Sequence, residues 1–116
     1  MLQSYIKEEL IMIYITVPSP EAAHKMASTL IEKQLAACVS IIPNIISIYR
    51  FKGEKKEYQE EQLLVKTRSS LFEKVLEEVK KIHSYVLPEF FSVKIEQASR
   101  EYEIWLNNET ESKTIV

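Results

Sequence analysis

The chain has 116 residues, 46% of them hydrophobic and 28% charged, with 15 basic and 17 acidic side chains and a formal net charge of -2. This length supports one domain with one core rather than two, and the interspersed charges leave no basic face for a phosphate backbone, so nucleic acid is excluded as an expected partner. A single cysteine, Cys38, excludes an intramolecular disulfide and fits a reducing compartment.

Met1 to Glu9 precedes the first patterned element and reads as an N-terminal extension that frays or packs loosely. It does not read as a targeting peptide, because the apolar run Leu10 to Val17 follows Glu8 and Glu9 rather than a basic region. No apolar span of ~20 residues is present, so the reading is a cytoplasmic protein without a membrane partner. Ile11 to Val17, β-branched and closed by Pro18 and Pro20, predicts a first strand. Ser19 is placed to cap a helix with Pro20 at its first position. Ala23, Met26, Ala27, Leu30 and Ile31 continue an apolar stripe that predicts a helix ending near Ala37.

Cys38 to Phe51 then reads as one long strand, with Val39, Ile41, Ile42, Ile45, Ile46, Ile48 and Tyr49 crowding both faces. The charged stretch Lys52 to Glu57, with the only glycine, Gly53, predicts an exposed turn, and Tyr58 to Thr67 the returning strand of a hairpin. Ser70 with Glu73 matches a capping box, opening a second amphipathic helix through Leu71, Phe72, Val75, Leu76, Val79 and Ile82. After "HSYVLPE", Phe91, Val93 and Ile95 alternate with Ser92, Lys94 and Glu96, as in a strand with one wet face. A short helix around Ser99 to Leu106 brings back Tyr102 and Trp105. The predicted architecture is α+β: a ferredoxin-like βαββαβ with an extended hairpin and a short C-terminal helix. The expected organisation is an extension at 1–9, the domain at 10–107 and a flexible tail at 108–116.

Fourteen extended residues reach about 45 Å at ~3.3 Å each, whereas a domain of this size has a radius of gyration near ~13 Å. Such a strand overhangs its own body, and Pro43, without an amide hydrogen, predicts a bulge that steers it. An overhanging two-stranded arm is not stable alone. Helices cover only one face of this kind of sheet, so the other face also needs a cover. Association with other copies of the chain meets both needs.

The chemistry is less marked. No G-x-x-x-x-G-K-[ST] loop, G-x-S-x-G elbow, CxxC or HExxH spacing occurs. No nucleophile and base pair can be named, and the protein reads as a non-enzyme. Cys38 reads either as a small buried hydrophobe or, with His83, as part of a soft-metal site. His83, Tyr85 and Glu89 either line a cleft or form a helix C-terminus followed by a Pro88 turn. Lys66 either faces solvent or reaches an anionic ligand.

The segments "AACVSIIPNIISIYRFKG", "EEQLLVKT" and "HSYVLPE", in this order and spacing, resemble the CutA family of divalent-cation tolerance proteins from about Ile11 to Leu106. The resemblance carries the patterns A-C-V-x-I-I-P, S-I-Y-x-W-x-G, L-L-x-K-T and H-P-Y-x-x-P-E. Phe51 stands in place of the Trp, Ser84 in place of the Pro after His83, and Val86 where Glu is frequent. The resemblance implies a homotrimer in which the hairpin of one subunit extends a neighbour's sheet. It also implies a divalent metal, copper foremost, or a small ligand at clefts between subunits. The residues it nominates are Lys66, Tyr85, Glu89 and Tyr49 for a ligand, and His83 and Cys38 for a metal such as Cu(II). At the level of the fold alone, the build is also similar to PII-type signalling proteins, which bind small molecules between subunits without metal chemistry.

Overall fold

The computed structural model describes residues 8–83 and 87–110. Its elements are β1 (Leu10–Val17), α1 (Pro20–Glu32), β2 (Cys38–Phe51), β3 (Glu54–Arg68), a 3-10 turn (Ser69–Leu71), α2 (Phe72–Ile82), β4 (Phe90–Lys94) and α3 (Arg100–Glu109). The strands form one antiparallel sheet in the order β2-β3-β1-β4, the arrangement expected from the sequence.

Strand alternation assigns the two faces. Ile13, Ile15 and Val17 of β1 and Leu63 and Val65 of β3 are almost wholly buried, and pack against Ala23, Met26 and Leu30 of α1 and Val75 and Val79 of α2. Register carries Met12, Tyr14 and Thr16 to the opposite face, together with Cys38, Ser40, Ile42, Gln62, Leu64 and Lys66. Phe91 and Val93 also fall on this second face, 47% and 40% exposed. The alternation seen in the sequence therefore holds, but the apolar side of β4 points away from the helices.

Element ends follow backbone chemistry that the apolar pattern does not contain. Ser19 caps α1 as expected, accepting from the Ala22 amide at 3.1 Å. The helix stops at Glu32, short of Ala37, because Gln34 adopts φ +59°. There the Gln34 amide donates to the Ile31 carbonyl and the Leu35 amide to the Leu30 carbonyl, a Schellman closure with Leu35 buried. The hairpin turn has only two residues, Lys52 and Gly53, both at positive φ, so Glu54 to Glu57 belong to β3 rather than to a loop. At α2 the expected Ser70 side-chain cap is absent; the Glu8 carboxylate accepts from the Ser70 amide at 3.3 Å instead.

β3 leaves β1 at Glu61, so Ile45 to Glu60 form a two-stranded arm beyond the four-stranded body, and the molecule is 58 Å long by 25 Å and 23 Å across. Pro43 and Asn44 sit in a bulge opposite the single residue Glu61. Asn44 takes φ +57°, and its side-chain oxygen accepts from Gln59 Nε2 at 2.7 Å. The inserted residue reverses the alternation. Ile45, Ser47 and Tyr49 continue the face opposite α1 and α2 with Glu60 and Tyr58, while Ile46 and Ile48 turn to the side of those helices, beyond their reach, and are 65% and 61% exposed.

Candidate functional site

On the face of the sheet opposite α1 and α2, an open cleft of about 910 Å³ lies between the arm and the segment that leads into β4. Tyr49, Tyr58 and Glu60 contribute the arm wall, Thr16 the floor strand, and Glu89 and Phe91 the opposite wall. The sheet register explains why the tyrosines meet. Tyr58 lies across from Ser47, one pleat from Tyr49, and the two rings are 6.1 Å apart. Burial pushes the Tyr49 phenol above its ordinary pKa; Tyr58 and Glu60 add to the rise and Lys56 opposes it. On the far wall Phe91 stacks on Tyr14 at 4.9 Å, while Phe90 meets Phe72 edge-on at 5.1 Å. Glu89 accepts from Gln62 Nε2 at 3.3 Å, which ties the segment after α2 to the centre of the sheet.

His83 closes α2. Its amide donates to the Val79 carbonyl at 2.7 Å, and its Nε2 lies 2.6 Å from the Thr16 carbonyl oxygen. A carbonyl only accepts, so Nε2 carries the proton and is not a metal-ligating lone pair in this arrangement. His83 thereby fulfils the helix-end alternative and braces the cleft floor at Thr16.

Lys66 and Cys38 lie elsewhere. Lys66 Nζ donates to Ser40 Oγ at 2.6 Å and stands 3.7 Å from Cys38 Sγ, all three half-buried on the face of the sheet opposite α1 and α2. The phenol of Tyr102 in α3 is pushed above its ordinary pKa by burial and next by the Cys38 thiol. Lys66 therefore neither projects freely into solvent nor lines the cleft.

The nominated residues thus divide into two groups. Tyr49, Glu89 and His83 gather around the cleft; Lys66 and Cys38 sit at the other end of the sheet; Tyr85 lies outside the described residues. Cys38 pairs with Lys66 and Lys66 with Met12, whereas His83 binds Thr16. Four strand residues separate those rows, about 13 Å at ~3.3 Å each. Cys38 and His83 of one chain do not share a metal ion. Among the described residues no three His, Cys, Asp or Glu side chains converge on a metal-binding arrangement. Tyr58, Gln62 and Ser40 were not singled out from the sequence. Placing the turn at Lys52 and Gly53 fixes the register of the arm and would have found Tyr58; Gln62 and Ser40 also need the one-residue shift at the bulge of Pro43 and Asn44.

The family described as "CutA1 divalent ion tolerance protein" matches residues 11–109. The chain belongs to the CutA family. It is 48% identical over 99 residues to the divalent-cation tolerance protein CutA of Thermus thermophilus, covering 85% of this chain and 96% of that one. It is 42% identical over 100 residues to the chloroplastic CutA protein of Arabidopsis thaliana, covering 86% of this chain but only 55% of the plant protein. The solved structure of the Thermus thermophilus protein superposes with a TM-score of 0.86 at 46% identity, over 88% of this chain and 99% of that one. The CutA patterns thus fall on the arm, on the Lys66 row and on the wall of the cleft.

Proposed function

We propose that this CutA protein acts in divalent-cation tolerance as a non-enzymatic cytoplasmic homotrimer with ligand clefts at its subunit boundaries. One observation carries the reading: the arm exposes apolar side chains on both faces, Tyr49 and Tyr58 on one and Ile46 and Ile48 on the other. A single flat contact covers one face; covering both takes neighbours on two sides, which a ring of three copies supplies. The free outer edges of β2 and β4 suit the same head-to-tail arrangement. Among the described residues, no helix is long and apolar enough to cross a membrane.

A divalent metal, with copper first among the candidates, would be held by donors from more than one subunit, since one chain does not bring Cys38 and His83 together. The lining of the cleft favours a second reading, a PII-like module that senses a small organic ligand without metal chemistry. Its walls are mainly aromatic and aliphatic, with a few placed polar groups. Light scattering tests the assembly, and a monomer mass at micromolar concentration overturns the proposal. Calorimetric titration with Cu(II) and Zn(II), on the native chain and on His83→Ala, tests the metal. Stoichiometric binding that weakens in the variant supports a metal site, whereas identical non-stoichiometric binding by both leaves the organic-ligand reading.

A further inference from the structure

The two ends of the described chain meet at one buried guanidinium. Arg68, at the last position of β3 and 6% exposed, donates from Nη1 to Glu8 Oε2 at 3.0 Å and from Nε to Thr110 Oγ1 at 2.8 Å. The planar fork holds both in fixed directions, which a lysine ammonium does not. Around it the N-terminal segment is sewn down further: the Ser70 amide donates to Glu8 Oε1 at 3.3 Å, and the Ser69 amide to the Glu9 carbonyl at 2.9 Å. On the other side Thr110 is 3% exposed and donates to the Leu106 carbonyl at 3.0 Å, closing α3, whose Leu106 is fully buried. Glu8 and Thr110 both lie outside the residues matched by the family, 11–109.

We infer that Glu8 and Glu9 form a strap that fastens α3 to the sheet through Arg68, and that releasing the strap uncovers the cluster of Cys38, Ser40 and Lys66. α3 packs on β3, the strand that carries Lys66, and its Tyr102 is near enough to Cys38 for the thiol to raise the phenol's pKa, after burial. Its two ends are held differently: the first turn by its own cap, Ser99 accepting from the Tyr102 amide at 3.1 Å, and the last turn by Arg68 through Thr110. The guanidinium holds its position through partners on both sides. Loss of Glu8 therefore loosens the contact with Thr110, and α3 frees its last turn first.

Hydrogen exchange on the full-length chain tests this, with Cys38, the only cysteine, as a second reporter. Glu8→Gln should speed exchange of the α3 amides by roughly tenfold, the scale for one charge-assisted hydrogen bond, and leave α1, which has no contact with Glu8 among the described residues, unchanged. Thr110→Val should act similarly, and the double variant should do no more than the larger single one, because both act through the same guanidinium. Labelling of Cys38 by a thiol reagent should accelerate in step. Unchanged α3 exchange in Glu8→Gln, factors that multiply in the double variant, or equal acceleration in α1 would overturn the strap. Faster α3 exchange with unchanged labelling would overturn the covering of the cluster.

Discussion

Ile48→Ala separates the stability of the subunit from that of the assembly. Ile48 is 61% exposed in the single chain and touches no part of the subunit's own core, so its truncation should leave the subunit fold within about 0.5 kcal/mol of the parent. In a trimer that covers this side of the arm, the same side chain leaves water. Full burial of an isoleucine is worth about 1.5 to 3 kcal/mol, and six-tenths of it about 1 to 2 kcal/mol per subunit. Three copies lose about 3 to 6 kcal/mol together, or roughly 10² to 10⁴ in the trimer dissociation constant. Adding Ile46→Ala, 65% exposed on the same side, should about double that energy. Sedimentation velocity across a dilution series reads the shift, and far-ultraviolet circular dichroism checks that the subunits remain folded. A double variant with the parent's mass at every concentration would refute the argument that Ile46 and Ile48 lie in a subunit boundary.

Three smaller tests address features within the subunit. Thr67→Val keeps the shape of a fully buried side chain but removes the hydroxyl that donates to the Leu35 carbonyl at 2.7 Å, and urea unfolding should show a loss of about 1 to 3 kcal/mol. At the bulge, Asn44→Val forces a β-branched residue to φ +57°, whereas Asn44→Gly does not; thermal melting should place the valine variant below the glycine one by about 1 to 2 kcal/mol. Hydrogen bonds from Lys33, at 3.0 Å, and then Lys81, at 3.2 Å, hold the Glu78 carboxyl below its ordinary value. Its contribution to stability is therefore present above the ordinary carboxylate range and fades as the pH falls through the lowered folded value. Lys33→Met should move the NMR titration of Glu78 upward, and an unmoved midpoint would show that the contact from α1 to α2 has no effect in solution.

The fold was legible because its strands and helices announce themselves by period, and Pro43 marked the bulge correctly. Element ends were less legible, for local reasons. Nothing in the apolar stripe of α1 indicates that Gln34 will take a left-handed conformation, and a Lys-Gly pair signals a two-residue turn less clearly than Asn-Gly. The acceptor at the 3-10 turn that leads into α2 is Glu8, sixty-two residues before the Ser70 amide, a distance at which no capping pattern operates. The site was half legible. Of the two readings left open for "HSYVLPE", the structure puts Glu89 on the wall of a cleft, while His83 closes α2 and donates to the Thr16 carbonyl. Lys66 and Cys38 share a row of the sheet with each other rather than with His83.

The bulge connects these observations. In an unbroken ladder, Ile46 and Ile48 would follow Ile42 on the face opposite α1 and α2, and Tyr49 would point to the other side, away from Tyr58 and Glu60. With Asn44 inserted, Tyr49 joins the row that lines the cleft, and the two isoleucines turn to the other side, outside their own subunit's core. One extra residue thus places the wall of the cleft on one face of the arm and an exposed apolar surface on the other. Removing the bulge would exchange the two faces. A chain lacking Asn44 should therefore lose trimer formation and the raised Tyr49 titration together, and retention of either one alone would separate the cleft from the assembly.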